Sequence, residues 1–224
     1  MGTAAIARSA CEPMPLDDPT CVWLERLYQG LSSGDEIPVK DLEAIDQSGG
    51  HDAYGELTVR GVREIRSLLR PVPGDVFYDL GSGTGRGVLQ AAREWSELRH
   101  AVGIELAGSR DEVARTALRR AESEFRERIS LRRGDMIACV GCEDASLVYV
   151  ASLLFDDAFM ERLGTRLVSL PQLRVVASLR PFPMGSLPGF IDAERNHAAE
   201  GEAPLDERVE VTWGAARVYL YTRE

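Results

Sequence analysis

The amino-acid sequence predicts a doubly wound α/β fold with a mostly parallel sheet, an antiparallel C-terminal hairpin strand and a small helical N-terminal segment. Three observations lead to this prediction. From Val76 onward, short apolar runs alternate with longer amphipathic stretches, which is the pattern of βαβ units. The first apolar run ends at Asp79 and continues into alternating glycines, as a strand does when it enters a ligand-binding turn. Near the C-terminus, two strand-like runs lie close together, which favours a hairpin.

The N-terminal part is predicted to be an accessory to the main domain. Residues 1–17 show no hydrophobic periodicity and are interpreted as a flexible leader. Apolar positions at helical spacing predict a helix from Thr20, a short helix within residues 37–50 and another over residues 57–69. We therefore divide the chain into a leader and helical accessory segment, residues 1–50, and a main domain, residues 51–224.

The elements of the main domain follow from apolar runs and helical periodicity. The predicted strands are residues 76–79, 101–105, 129–133, 147–151 and 174–178. The predicted helices are residues 87–95, 109–126 and 158–170. The terminal hairpin is predicted from residues 208–212 and 217–222, after a polar loop at residues 196–204. Right-handed crossovers then bring the carboxyl ends of the parallel strands to one edge of the sheet.

The glycine-rich turn after the first strand carries the most chemical information. Gly81, Gly83 and Gly85 lack side chains, so backbone amides there can approach a ligand closely. The dinucleotide fingerprint G-x-G-x-x-G does not fit, because Arg86 and Val88 stand where its third glycine belongs. A carboxylate at the mouth of the turn, from Asp79, repels phosphate and attracts a cation. The turn therefore favours S-adenosylmethionine, which carries a sulfonium and an ammonium, over NAD or ATP.

Two further acidic residues end the next two predicted strands. Glu105 lies 20 residues after Gly85, where a carboxylate can accept both ribose hydroxyls. Asp135 ends the third strand and precedes Met136; these two are expected to border the adenine, by a hydrogen bond to its amine and by packing on its ring. The alternative for each acidic residue alone is a helix N-cap. Together, the three acids predict a nucleoside pocket at one sheet edge.

Composition and charge limit the class of partner. The net charge of −10 argues against strong direct nucleic-acid binding, which depends on Lys and Arg. A basic partner such as a histone is electrostatically favoured. No apolar run approaches the ~20 residues needed to cross a bilayer, so no membrane contact is expected.

The four cysteines are few for this length, and we expect them to be reduced in an intracellular compartment. Cys139 and Cys142 have the spacing of a redox pair or of half a zinc site. No second pair or neighbouring histidine completes a tetrahedral site, so no metal is predicted.

The order of motifs over residues 54–222 resembles the Dot-one (disruptor of telomeric silencing) family of non-SET histone lysine methyltransferases. The segments that carry the resemblance are His51-Asp-Ala-Tyr-Gly-Glu56, Phe77-Tyr-Asp-Leu-Gly-Ser-Gly-Thr-Gly85, Val88-Leu-Gln-Ala91, Gly103-Ile-Glu105, Arg133-Gly-Asp135, Arg180-Pro-Phe182 and Val211-Thr-Trp213. The glycine turn alone indicates only a class I methyltransferase with a Rossmann-like fold. The Tyr-Gly-Glu segment and the hairpin tryptophan are far more specific.

The resemblance implies a set of site residues. The cofactor contacts carried over from the family are Tyr54, Glu56, Asp79, Gly81, Gly83, Glu105, Asp135 and Met136. To these we add Ser82, Gly85 and Arg86 of the same turn as predicted cofactor-binding residues. The residues implied at the methyl-transfer point and acceptor channel are Tyr54, Ser152, Phe155, Trp213 and Tyr219.

The chain departs from the family pattern at three places. Arg86 stands where the family has Gln, and Ala151-Ser-Leu-Leu-Phe155 replaces Asn-Asn-Phe-Ala-Phe. The terminal hairpin is shorter, so that Val218 or Tyr219 falls where a channel tyrosine is expected. These changes leave the cofactor prediction intact and bear mainly on the substrate.

The activity implied by the resemblance is methyl transfer from S-adenosylmethionine to a lysine in the globular core of histone three, on free histone or the nucleosome. One alternative is a class I methyltransferase that acts on another protein or on a small molecule. Another is a cofactor-binding module with weakened chemistry. A nuclear location is implied only by the resemblance, because no targeting run is visible; the alternative is the cytoplasm.

Overall fold

The computed structural model describes residues 17–193 and 207–224. Its strands are β1 (Asp75–Leu80), β2 (Leu98–Glu105), β3 (Ile129–Arg133), β4 (Leu147–Val150), β5 (Val175–Ser178), β6 (Phe190–Asp192), β7 (Arg208–Val211), β8 (Gly214–Arg217) and β9 (Tyr219–Arg223). Its helices are α1 (Pro19–Tyr28), α2 (Val39–Ser48), α3 (Val59–Leu69), α4 (Arg86–Glu94), α5 (Gly108–Arg120), α6 (Ser123–Arg126) and α7 (Asp157–Val168). The predicted leader and the predicted loop at 196–204 lie outside the described residues.

Within the described residues, seven strands form the central sheet in the order β3-β2-β1-β4-β5-β9-β6. Strands β1 to β5 pair in parallel, and β9 is antiparallel to both β5 and β6. The strand order reverses between β1 and β4. In doubly wound sheets, the carboxyl ends of the strands at such a switch point form the ligand crevice.

Apolar side chains cover both faces of the sheet. On one face, α1, α3, α4 and α5 bury residues that include Leu27, Ile65 and Leu89. On the other face, α7 contributes Met160, Leu163 and Leu167, all fully buried. Because parallel strands are covered on both faces, every residue of β1 and β4 is buried.

The N-terminal helices are joined to the sheet domain by hydrogen bonds as well as by apolar packing. The Tyr28 hydroxyl donates to the carbonyl of Thr84 at 2.7 Å. The Asp41 carboxylate, which is buried, accepts from the backbone amide of Ser109 at 2.8 Å. These contacts tie α1 to the glycine-rich turn and α2 to the start of α5. The helical part of the predicted accessory segment is therefore continuous with the core.

The predicted helix over residues 109–126 is wrong in its continuity. The backbone is extended at Ala121 and at Glu122, and this break separates α5 from α6. The Glu122 carboxylate accepts from the Trp23 indole at 2.8 Å and pairs with Arg26. Contacts with α1 therefore hold Glu122 in an extended conformation, although the helical periodicity of the sequence continues through this position.

The terminal hairpin is present but its partners differ from those predicted. Strand β7 pairs with β8, in register Val211 to Gly214, and not with the last run of the chain. The chain passes through the buried Val218, whose amide donates to the carbonyl of Glu207 at 2.8 Å. Strand β9 then enters the central sheet, where it supplies the predicted antiparallel strand.

The cysteines also differ from the expectation. Cys139 and Cys142 form a disulfide, whereas Cys21 is free. Over the described ranges, no group of three or more His, Cys, Asp or Glu residues is arranged to hold a metal ion. No helix there is long and apolar enough to cross a membrane.

Candidate functional site

Two adjoining cavities lie at the carboxyl ends of the strands around the switch point. The larger has a volume of about 310 Å³ and the smaller about 30 Å³. Of the predicted site residues, those lining the larger cavity are Tyr54, Gly81, Glu105, Asp135, Met136, Phe155 and Trp213. Those lining the smaller cavity are Tyr54, Glu56, Asp79, Gly81, Ser82 and Gly83.

The glycine-rich turn needs its glycines for backbone conformation. Gly81, Gly83 and Gly85 have φ values of 84°, 55° and 81°, a region that side-chain-bearing residues rarely adopt. The amides of Gly81 and Ser82 donate to the carbonyl of Ile104 at 2.8 and 3.0 Å. These bonds anchor the turn to β2. Gly85 is the N-cap of α4 and lines neither cavity, so the turn leads directly into a helix.

Glu105 braces the turn from the end of β2. One carboxylate oxygen accepts from the amide of Gly83 at 2.8 Å, and the other from the amide of Ala107 at 2.7 Å. Burial raises the pKa of Glu105, and these amides act in the opposite direction. The carboxylate is thereby fixed at the cavity wall, with the orientation set by the backbone of two loops.

Asp79 at the end of β1 is buried without such compensation. Within residues 17–193 and 207–224, no hydrogen bond or ion pair reaches its carboxylate. Burial, together with the nearby carboxylates of Glu56 and Glu105, raises the pKa of Asp79 to about 8. A group in this state gains most from a cation placed beside it.

Tyr54 and Glu56 form a lid over the turn. The Tyr54 hydroxyl accepts from the amide of Thr84 at 3.0 Å and is hydrogen-bonded to the carboxylate of Glu56. The Thr84 hydroxyl donates to the same carboxylate at 2.6 Å. On the opposite side, the guanidinium of Arg110 stacks 4.1 Å from the Tyr54 ring and donates to the carbonyl of Gly34 at 2.9 Å. The lid is thus held between the turn and α5.

Arg86, the predicted extra cation near the cofactor, faces away from both cavities. Its guanidinium lies 4.1 Å from the centre of the Tyr28 ring and 3.5 Å from the Glu56 carboxylate. The cation therefore offsets the charge of Glu56 from the side that does not line the cavities. The substitution at this position supports the lid and leaves the cavity acidic.

Asp135 and Met136 line the larger cavity as predicted from their sequence position. Asp135 accepts from the amide of Ile137 at 2.8 Å, which fixes the loop after β3. The Met136 methyl group lies 3.4 Å from the position that a Cβ on Gly81 would occupy. These two residues therefore form the cavity wall next to the turn.

Ser152 and Tyr219 line neither cavity. The Ser152 side chain is fully buried, 2.6 Å from the Ser178 hydroxyl, and accepts from the amide of Arg180 at 3.1 Å. These bonds connect the ends of β4 and β5. Tyr219 packs against the apolar cluster on the α7 face. Phe155 does line the larger cavity and stacks on Phe159 with ring centres 4.3 Å apart.

Trp213 lies at the turn of the β7–β8 hairpin and contacts the lid. A Cβ on Gly55 would fall 1.7 Å from the indole ring, so only glycine fits beneath it. The backbones also pair, because the Thr212 amide donates to the carbonyl of Glu56 at 2.9 Å. Half of the Trp213 side chain remains exposed, 50%, and the ring forms part of the cavity rim.

Sequence reasoning missed several residues that line the cavities. They are Ile45 and Ser48 of α2, Arg110 of α5, Tyr149 of β4 and the loop residues Leu153 and Leu154. Tyr149 had a usable signal, because it is the polar member of the predicted fourth strand, two residues before that strand ends. The α2 residues had none, since only the tertiary fold brings that helix over the cavity.

Comparison with known proteins tests the resemblance. Residues 38–221 match the family model described as "Histone methylation protein DOT1". The chain belongs to the DOT1 family. The predicted resemblance is thereby confirmed, and the match includes α2 as well as the sheet domain.

Two curated relatives of this DOT1 family member are named "Histone-lysine N-methyltransferase, H3 lysine-79 specific". The relative from Candida albicans is 24% identical over 209 residues, which is 88% of this chain and 15% of the relative. That from Cryptococcus neoformans is 29% identical over 170 residues, 70% of this chain and 26% of the relative. The chain thus spans about a quarter or less of the length of these relatives.

A solved structure confirms the predicted fold. A proposed RNA methyltransferase from Pyrococcus horikoshii superposes with a TM-score of 0.57 at 16% identity, over 92% of this chain and 98% of the other. At this identity the likeness establishes the class I methyltransferase fold and leaves the substrate open.

The contact between Gly55 and Trp213 generates a first prediction. We expect Gly55→Ala to displace the indole ring, because the added methyl group overlaps it. Trp23 and Trp95 are buried, so quenching by neutral acrylamide reports mainly on Trp213, and quenching should increase. Gly134→Ala is the matched control, since a Cβ there meets nothing within 4 Å. Equal quenching in both variants would contradict the packing described.

Proposed function

We propose that this protein binds S-adenosylmethionine and transfers its methyl group to a lysine side chain, with histone as the acceptor protein. The observation that supports this most directly is the buried Asp79 carboxylate, which lies beside two further carboxylates and a glycine-rich turn without a cationic partner. Membership of the DOT1 family and the names of its relatives point to the same reaction.

The residues present fit this cofactor. Asp79 and Glu56 border the small cavity and suit a cationic amino-acid end, whereas Glu105 suits the ribose hydroxyls. Asp135 and Met136 suit the adenine, and the glycine-rich turn leaves room for close approach of the nucleoside. When bound, the cofactor supplies a methyl group that is already activated by its sulfonium. The protein then mainly has to align donor and acceptor, which is worth about 7–11 kcal/mol in effective molarity.

The acceptor side of the larger cavity is apolar. Leu153, Leu154, Phe155 and Trp213 line it together with Ala151. A lysine amine has an ordinary pKa near ~10.4 and must lose its proton before it attacks. An apolar surrounding disfavours the ammonium form and so lowers that pKa. This part of the cavity therefore prepares the amine by desolvation.

The overall charge supports a basic protein partner. The net charge of −10 attracts histones and disfavours tight binding to nucleic acid. We include the nucleosome as a substrate form and the nucleus as the location in the proposal, on the strength of family membership.

A second candidate is methyl transfer to another protein or to a small molecule. It is favoured by the rim of the larger cavity, where Leu153 and Leu154 are 43% and 52% exposed and where the two preceding positions, Ala151 and Ser152, lack the family's amides. An exposed apolar rim recognises apolar acceptor surfaces, whichever molecule carries them.

Transfer of a labelled methyl group tests the proposed function directly. We expect tritium from labelled cofactor on nucleosomal or free histone, compared side by side. Glu105→Ala should reduce transfer at least ~tenfold, because it leaves two buried amide donors unpaired at about 1–3 kcal/mol each. Glu97→Ala is a suitable control, since Glu97 pairs with Arg66 at the opposite end of β2. If no histone is labelled and a parallel reaction with cell lysate yields other labelled components, the second candidate is supported instead.

The apolar acceptor side makes a prediction about pH. A carboxylate introduced by Leu154→Asp stabilises the lysine ammonium, so transfer at neutral pH should fall about tenfold and the rate profile should move up by about one pH unit. Leu154→Asn, which is uncharged, should leave the profile in place. Ile191→Asp, at an exposed position outside the cavities, controls for surface charge. An unshifted profile in Leu154→Asp would refute desolvation of the amine at this rim.

The raised pKa of Asp79 predicts proton release on ligand binding. Below pH 8 the free protein holds a proton on this carboxyl, and a bound ammonium lowers its pKa toward the ordinary range. At about pH 6.5, S-adenosylhomocysteine should therefore displace up to about one proton, by the linkage of binding to protonation. Calorimetry in two buffers of different ionisation enthalpy measures this release. Asp79→Asn should abolish it, and identical enthalpies for the wild-type protein in both buffers would contradict the assignment.

A further inference from the structure

Tyr149 is a polar residue at the switch point that no predicted role explains. It lies on β4 in register with Asp79 on the neighbouring strand β1. Registered residues of parallel strands point to the same face of a sheet. The two side chains therefore lie next to each other on the α3–α4 face, and both line the small cavity.

The side chain of Tyr149 is buried at the small cavity, and its hydroxyl has no partner among the described residues. The residue is 3% exposed, and no hydrogen bond to its hydroxyl occurs within the part of the chain that the structure describes. A buried hydroxyl without a hydrogen bond is costly, and native structures rarely retain one unless a ligand or water satisfies it. The adjoining space is about 30 Å³, enough for a small polar group.

The surroundings of Tyr149 also determine the protonation state of its phenol. Burial and the Asp79 carboxylate raise the pKa of its phenol. The hydroxyl thus remains a neutral donor throughout the working range of pH. It is available for an anionic group, next to a carboxylate that suits a cation.

The other polar side chains at the small cavity are poor donors for an anion. Glu56 and Asp79 are acidic, and Asp79, once ionised beside a cation, has no proton to donate. The Tyr54 hydroxyl is already engaged with Glu56 and Thr84. The Ser82 hydroxyl lies toward β2, 2.7 Å from the position of a Cβ on Gly103. Tyr149 is the remaining hydroxyl on the β4 side.

We propose that Tyr149 is a binding residue for the carboxylate of the cofactor's amino-acid end, and that it works beside Asp79, which takes the ammonium. This inference rests on the proposed function, since it concerns the same ligand. The two charged groups of the zwitterion are then bound by adjacent strands. Strand β1 supplies the carboxylate for the ammonium, and β4 supplies the hydroxyl that donates to the carboxylate. A zwitterion such as an α-amino acid terminus satisfies both residues together.

The experiment is a binding cycle that varies the hydroxyl and the carboxylate independently. Wild-type protein and Tyr149→Phe are titrated by calorimetry with S-adenosylhomocysteine, with its decarboxylated analogue and with 5′-methylthioadenosine, which lacks the amino-acid end. Loss of a hydrogen bond to a charged group should weaken S-adenosylhomocysteine about 10- to 100-fold in Tyr149→Phe. The affinities of the other two ligands should change less than about twofold.

Two further variants make the result specific. Tyr78→Phe removes another buried phenol, whose hydroxyl lies 2.8 Å from Asp144 away from both cavities; it should bind all three ligands like the wild type. Ser82→Ala tests the competing hydroxyl and should show no dependence on the carboxylate.

Every outcome of these titrations either supports or overturns the inference. Weakening that is confined to the carboxylate-bearing ligand in Tyr149→Phe supports the inference. Equal weakening of all three ligands, no weakening, or carboxylate dependence that appears in Ser82→Ala instead overturns it while leaving the proposed function in place. If the wild-type protein binds none of the three nucleosides, the proposed function itself fails and the inference fails with it.

Discussion

The site depends on negative charge that is buried at the switch point of the sheet. Burial of a carboxylate is expensive unless donors or cations compensate it. Glu105 is compensated by the amides of Gly83 and Ala107, and Glu56 by hydroxyls in front and Arg86 behind. Asp79 lacks such compensation in the described structure and is largely protonated at neutral pH. The fold thus leaves one carboxyl that is neutral in the free protein and that ionises beside a cation, so under the proposed function cation binding and ionisation of Asp79 are the same event.

The lid explains why elements distant in sequence contribute to the cavity. Tyr54 is held by Arg110 of α5 and by Thr84 of the turn, while Gly55 lies beneath Trp213 of the hairpin. Helix α1 reaches the same network through Tyr28, which supports both Thr84 and Arg86. The N-terminal helices therefore have a function in the site, since they fix the backbone and the counter-charge on which the lid rests.

Much of this arrangement is predictable because its signals are local. The parallel strands are short apolar runs, and each predicted acid lies within two residues of the carboxyl end of its strand, so the sequence alone is enough to place Asp79, Glu105 and Asp135 at one edge of the sheet. The errors arise where long-range contacts decide. The predicted helix is interrupted at Glu122 because α1 holds this residue. Strand β9 is not part of the hairpin because it pairs with β5 on one side and with β6 on the other. The motif position of Ser152 predicts that it lies at the methyl-transfer point. In the structure its hydroxyl instead forms hydrogen bonds with the Ser178 hydroxyl and the Arg180 amide.

The segment after β4 combines a polar residue that faces inward with an exposed apolar rim. Ser152, at one of the positions of the family's amides, is buried, and its hydroxyl connects the end of β4 to the end of β5. Leu153 and Leu154, which follow the two positions of the family's amides, are exposed at the rim. A polar rim orients an acceptor by directed bonds, whereas an apolar rim selects it by the surface it buries. Ala151 lines both cavities, so under the proposed function it lies between donor and acceptor, and selectivity for the acceptor depends on the apolar residues around it.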